Sequence, residues 1–192
     1  MTVRAQRAVE QAEVLIWADS LVAPEIAALA PANCERLRSG NLTLEAVMEA
    51  MLDGIRRGKR VVRLHDGDPC LYGALQEQIA RLADADVAVE VIPGISAYQA
   101  TAAALNAELT IPGLVQTIVL SRASGRTGTP ERESLERLAE LQASLCLYLS
   151  ARHVEEVQQV LLKHYPADTL VAVGYRVSWP DQQLELVPLS EL

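Results

Sequence analysis

"RVVRLHDGDPCLYGALQEQIARL", residues 60–82, runs from an apolar stretch through a loop into a helical pattern. The loop between holds two aspartates, two glycines and a proline, more special residues than one tight turn needs. "RVVRL" (60–64) reads as a short buried strand, and Leu75, Ile79 and Leu82 fall on one side of the helix that follows. Just upstream, Leu44, Val47, Met48, Met51, Leu52 and Ile55 share one helical face. Thr43 is placed to cap that helix and Gly58 to end it, and at this spacing the two methionines pack the core. Downstream, "VAVEVI" (87–92) reads as another strand, which "PGIS" turns into the Ala-rich helix "SAYQATAAAL". Near the start, Thr2 caps a helix leading into "VLIW" (14–17).

Strands alternating with helices imply parallel pairing with helical crossovers, hence an α/β sheet. After "ELTIPG" (108–113) the alternation resumes with "VQTIVLS" and a helix carrying Leu135, Leu138 and Leu141. "SLCLYLS", a helix with Val154, Val157 and Leu161, "TLVAVGYR" and "LELV" follow. The boundary between two lobes is expected near residues 106–114, giving a first lobe over 1–110 and a second over 111–192. "RASGRTGTPERES" (122–134) reads as a mobile loop.

Half of the 192 residues are apolar and none is Phe, so a core of Leu, Val, Ile and Ala is expected. Net charge is −8, without the basic footprint of a nucleic-acid binder. Cys34, Cys70 and Cys146 are far apart and read as reduced thiols, and His65, His153 and His164 form no metal-ligand spacing. No apolar run nears the roughly 20 residues of a membrane helix, and the first residues lack signal-peptide order. A cytoplasmic protein with no membrane or nucleic-acid partner is expected.

Parallel α/β sheets bind ligands at the carboxyl ends of their strands. "HDGDP" and "PGISA" both stand after a strand and before a helix, so both are expected on one rim. Gly67 and Gly94 allow close backbone approach, Ser96 offers a hydroxyl, and Asp66 or Asp68 can accept from a ribose or an amino group. Asp-Gly and Pro-Gly also make plain turns, and either loop alone reads that way; the pair points to a pocket. His65, Asp66 and Asp68 form a sparse cluster, but neighbours on an extended chain point to opposite sides, so no metal is expected. Neither G-K-[ST] nor G-x-G-x-x-G occurs at the loop.

"WADSLV" (17–22), "VVRLHDGDPCLYGALQEQI" (61–79) and "VIPGISAYQATAAALNAELTIPGLVQTIVLSRASGRT" (91–127) resemble the tetrapyrrole (corrin/porphyrin) methyltransferase family. "LYLSARHVEEV" (147–157) and "VGYRVSWPDQ" (173–182) extend the resemblance over nearly the whole chain. The resemblance implies a two-lobed α/β enzyme, its first sheet mostly parallel and its second mixed, with the active site in the cleft between. It implies S-adenosylmethionine as methyl donor, a tetrapyrrole as substrate, and a homodimer. The branch resembled methylates C11 of precorrin-4 or cobalt-precorrin-4 in cobalamin biosynthesis. The alternatives are uroporphyrinogen methylation, 2′-O-methylation of ribosomal RNA, which the net charge disfavours, and a catalytically silent binding or assembly module.

By the same resemblance, Asp66, Gly67, Asp68 and Leu71 contact the methionine part and ribose, with Ser96 and Ala97 beside the adenosine. Leu149 and Val177 would line the adenine pocket. Methyl transfer to an electron-rich carbon needs alignment more than acid–base help, so no catalytic residue is assigned. Arg63, Arg122 and Arg126 are expected to meet substrate carboxylates, because guanidinium matches carboxylate bidentately. Relatives begin with a strand and a Gly-rich loop before the helix that opens this chain, and continue past Leu189. A chain cut at both ends is therefore expected, with an open gap or a foreign strand in the first sheet.

Overall fold

In the computed structural model, residues 1–123 and 128–192 are described. The chain divides into two compact units, Met1–Ala97 and Tyr98–Leu192.

The first unit is built round β1 (Val14–Trp17), whose four residues are all buried. It lies between β2 (Glu35–Arg38) and β3 (Val61–Leu64), parallel to both, with Ile16 opposite Leu37 and Arg63. A strand covered on both faces must be apolar throughout, and "VLIW" is. Leu15 and Trp17 pack with Val9, Ala12, Val22, Ala27 and Ala30, beneath α1 (Val3–Glu10) and α2 (Pro24–Ala27). Val14 and Ile16 pack with Val47, Met48 and Met51 of α3 (Leu44–Arg56) and Leu82 of α4 (Leu75–Ala83). Full burial of Leu15 or Ile16 contributes roughly 1.5–3 kcal/mol.

Local signals fix the helix ends. Thr2 accepts from the Ala5 N–H at 3.2 Å and Thr43 from Ala46 at 3.3 Å, capping α1 and α3 as the sequence implies. Gly58, at φ 70°, closes α3 in the left-handed region that glycine enters without strain.

The expected strand at 87–92 does not form. The segment runs without regular structure after α4, and among the described residues it joins no ladder. Val87, Val89 and Val91 have the right residue type, but a strand exists only with a partner, and β3 pairs solely with β1 among the described residues. The segment is instead held from the side, by the Arg4–Glu90 ion pair and by Thr2 donating to the Pro93 carbonyl at 3.4 Å. Conversely β2, sequence "ERLR", carried no visible strand pattern; its side chains are mostly exposed at the sheet edge.

The second unit begins at Tyr98, within α5 (Ala97–Ala104). β4 (Ile118–Arg122) and β5 (Ser144–Tyr148) pair in parallel, while β6 (Leu170–Tyr175) and β7 (Gln183–Pro188) form an antiparallel hairpin. Both pairings expected of a mixed sheet are present, in two separate ladders. The core joins Ala139 of α6 (Leu135–Ala139), Val157 and Leu161 of α7 (Val154–Leu161), Ala123 and Leu189. Leu141, expected on the helix with Leu135, falls beyond the end of α6 and is 62% exposed. Within the expected loop over 122–134, Glu131–Glu133 forms a short 3-10 turn.

Candidate active site

In the first unit, "HDGDP" and "PGISA" lie against each other. Asp68 joins them: its Oδ2 accepts from the Gly94 N–H at 2.9 Å and its Oδ1 from the Cys70 N–H at 2.8 Å. Those two N–H donors hold the Asp68 carboxyl below its ordinary pKa, the Gly94 bond being the larger cause and partial burial opposing it. The approach is close enough that only glycine fits at 94. A Cβ there would stand 1.8 Å from the Gly67 carbonyl oxygen. Gly67 itself has φ 59°. Ser96 is 3% exposed, and its Oγ lies 3.6 Å from where a Gly67 Cβ would be. Asp66 is exposed and makes no hydrogen bond or ion pair among the described residues, so its oxygens are available to a ligand. Leu71, half-buried, donates its N–H to the Asp68 carbonyl at 3.1 Å, and Ala97 is exposed at the start of α5.

Two neighbours brace the first loop. His65 packs under the turn at Tyr72–Ala74, its Nδ1 lying 3.1 Å from where a Gly73 Cβ would be. Buried Gln78 donates to the carbonyls of Gly73 and Ala74 at 3.2 and 3.3 Å. Arg63 is turned into the sheet, its Nη1 donating to the Ile16 carbonyl at 3.2 Å and to Ser39 Oγ at 3.0 Å. Its Nε is buried without a partner among the described residues. Burial lowers the Arg63 pKa, with Asp66 pulling the other way. Ser39 was not singled out by sequence, because its role exists only once β2 lies beside β1.

His65 sets an acid limit. Burial first, then the Arg63 charge, pushes its pKa below the ordinary value, so the folded form keeps it neutral while the unfolded chain protonates near 6.5. Stability contributed here is complete above that value and declines as pH falls from it through the lower folded pKa. Asp68 adds a second loss, starting only below about 3.9. The urea midpoint is expected to fall from pH 6.5 toward 5, and His65→Gln is expected to flatten that slope. An unchanged slope in the variant would place the titration elsewhere.

In the second unit, Leu149 and Val177, the residues expected around an adenine ring, follow β5 and β6 respectively. The Tyr98 N–H donates to Tyr148 Oη at 3.2 Å, and Leu149, the next residue, is 75% exposed with φ 55°. Half-buried Val177 and Thr101 flank Gly174, where a Cβ would meet Val177 Cγ2 and Thr101 Oγ1 at 2.9 Å each. Thr101 and Gly174, unnoticed in the sequence, set how close α5 approaches β6. Arg176 lies over the Trp179 ring at 4.4 Å and pairs with Asp181. Arg122 Nη2 donates to the Gly128 carbonyl at 3.4 Å. Arg126 lies outside the described residues. Among the described residues no three His, Cys, Asp or Glu side chains are grouped as a metal ion would need.

The sequence profile of Tetrapyrrole (Corrin/Porphyrin) Methylases matches residues 1–192. A cobalt-precorrin-4 C(11)-methyltransferase of Priestia megaterium is 40% identical over 193 residues, covering 100% of this chain and 75% of the relative. A precorrin-4 C(11)-methyltransferase of Pseudomonas aeruginosa is 42% identical over 183 residues, covering 95% of this chain and 73% of the relative. Among solved structures, the X-ray structure of a cobalamin biosynthetic enzyme, cobalt precorrin-4 methyltransferase, superposes with a TM-score of 0.95 at 39% identity. That match covers 100% of this chain and 80% of the solved one. A uroporphyrin-III C-methyl transferase from Thermus thermophilus, complexed with S-adenyl homocysteine, shares the fold: TM-score 0.80, 24% identity, 100% and 78% covered.

Proposed function

The chain belongs to the tetrapyrrole methylase family, and from that premise we propose that it is an S-adenosylmethionine-dependent C-methyltransferase acting on C11 of precorrin-4 or cobalt-precorrin-4 in cobalamin biosynthesis. The observation that carries this reading is identity near 40%, spread over the whole chain, with relatives named for that reaction. S-Adenosylmethionine supplies an electrophilic methyl group on a sulfonium sulfur.

The loop residues suit such a donor. The free Asp66 carboxylate can accept from ribose hydroxyls or the amino group, while Gly67 keeps the loop backbone bare. Asp68 acts by position, since both its oxygens already hold backbone N–H groups and so fix where Asp66, Gly67 and Leu71 stand. Ser96 and Ala97 are assigned to the adenosine, and Leu149 and Val177 to the adenine. The substrate carboxylates are assigned to Arg63, Arg122 and Arg126. No residue is assigned as acid or base: displacement at a methyl carbon depends on alignment and water exclusion more than on proton transfer.

The protein is taken to act in the cytoplasm as a homodimer. Exposed Leu170 and Leu186, on one face of the β6–β7 hairpin, support the pairing of copies. Among the described residues no helix is long and apolar enough to cross a membrane.

The test is methylation of cobalt-precorrin-4 and precorrin-4, with uroporphyrinogen III as competitor substrate and S-adenosylhomocysteine binding measured by calorimetry. Asp66→Ala is expected to weaken that binding by about 1.5–3 kcal/mol, the worth of a charge-assisted hydrogen bond. Cys34→Ala, in the core beneath α1, should leave it unchanged. Methylation of uroporphyrinogen alone would overturn the substrate assignment, and equal effects of the two variants would overturn the site.

A further inference from the structure

A groove of about 260 Å³ lies beside the edge strand of the first unit, lined by Trp17, Pro24, Ala27, Ala28, Arg36 and Arg38. Arg36 and Arg38 are two residues apart on β2, so both project to the same face, about 6.5–7 Å apart along the strand. That face is the one on which Leu15 and Trp17 pack, because Arg36 stands opposite Leu15 and Arg38 opposite Trp17.

The charges in this groove are unanswered. Arg4, Arg57 and Arg81 of the same unit each hold a carboxylate: Glu90, Glu35 and Glu77 respectively. Arg36 and Arg38 meet no carboxylate among the described residues, although the chain carries a net charge of −8. Arg36 is nonetheless fixed in place. Its Nη2 donates to the Ala30 and Pro31 carbonyls at 2.7 and 3.1 Å, and its Nη1 and Nε make no hydrogen bond among the described residues. Arg38 makes no hydrogen bond or ion pair among the described residues. A guanidinium held by carbonyls gains no charge neutralisation from them, so its affinity for a carboxylate is unspent.

The groove also stands at the right end of the sheet. Arg38 is the last residue of β2, and β2 is parallel to β1 and β3, so Arg38 shares the carboxyl rim with the His65–Pro69 loop. In the order β2-β1-β3 the two lie two inter-strand spacings apart, about 10 Å, the scale of a tetrapyrrole ring.

We propose that Arg36 and Arg38, over the apolar floor of Trp17 and Ala27, form a carboxylate-binding subsite that takes the acidic arms of a tetrapyrrole. The subsite rests on the reading of the protein as a tetrapyrrole methyltransferase. It accounts for how an acidic protein retains an acidic substrate: cationic charge is concentrated at one edge of the sheet. The subsite binds and orients, and takes no part in the transfer of the methyl group.

The experiment is a fluorescence titration with uroporphyrin III, whose rim carries acetate and propionate arms, at several salt concentrations without methyl donor. The proteins are the unaltered chain, R36A/R38A, and R56A/R152A, which removes equal charge at exposed positions elsewhere. R36A/R38A is expected to bind about tenfold more weakly, as two lost ion pairs imply, and to show a flatter salt dependence. R56A/R152A is expected to match the unaltered chain. Equal weakening in both double variants, no weakening in either, or no binding of uroporphyrin by the unaltered chain would overturn the subsite. Uroporphyrin binding that depends on Arg36 and Arg38, in a chain that methylates no tetrapyrrole, would overturn the methyltransferase reading and uphold the subsite.

Discussion

Gly94→Ala is expected to cost about 3–5 kcal/mol and to abolish S-adenosylhomocysteine binding. The added Cβ would stand 1.8 Å from the Gly67 carbonyl oxygen and 2.8 Å from its carbon. Both are backbone atoms, so no rotamer change relieves the clash; the two loops must part. Parting them breaks the Gly94 N–H bond to Asp68 and leaves an ionised carboxylate with one of its two donors gone. Gly58→Ala is the matched comparison. That position has a left-handed φ, of 70°, which Gly94 does not, but nothing lies within 4 Å of the added carbon. It should cost only the backbone penalty, roughly 1–2 kcal/mol. Chemical denaturation of the two variants separates the cases, and similar losses would show that contact between the loops contributes nothing.

The second large effect is expected in hydrogen exchange. Amides of Leu15, Ile16 and Trp17 lie in a strand laddered on both sides and should open only with the unit as a whole. Residues 88–92 contribute no amide to a ladder among the described residues. With global stabilities of about 5–15 kcal/mol, the two sets should differ in protection by at least three orders of magnitude. The Arg4–Glu90 pair does not alter this, because an exposed ion pair restrains a side chain and contributes about 0–1 kcal/mol. Strong protection across 88–92 in the isolated chain would mean that another segment or a second copy pairs with it.

These expectations mark where sequence reading succeeds and where it fails. The face made by Val47, Met48 and Met51 was legible because helical period and burial are the same fact seen twice. Gly67 and Gly94 do meet, but not for the reason expected: the strand before Gly94 does not form, and the contact is held by the Gly94 N–H donating to Asp68. "VAVEVI" misled for a physical reason: β-propensity describes side chains that suit a pleated surface, whereas a ladder depends on a neighbour that may come from anywhere in the chain. β2 escaped notice for the converse reason, since an edge strand with Glu35, Arg36 and Arg38 exposed has no alternation to display. Leu141 kept the spacing of α6 but lies past its end, where Gln142 already has φ 49°. At the site, residue type showed that Arg63 carries charge beside the loop. The turning of its guanidinium toward Ile16 and Ser39 depends on three strands being side by side, which residue spacing does not encode.

The open stretch at 87–92 also bears on how this protein behaves in concentrated solution. A Val-rich segment that joins no ladder among the described residues is a template on which another chain can zip, and native folds guard such edges with charge. Here the guard is Glu90, placed in the middle of "VAVEVI", backed by a net charge of −8 that keeps copies apart. Both defences are electrostatic, so both fail under the same conditions. Salt screens them, and acidification toward the isoelectric point near 4.9 removes the mutual repulsion. Colloidal stability is therefore set by a handful of carboxylates rather than by the packing of the core, and neutral, low-salt buffer is the medium in which this chain stays dispersed.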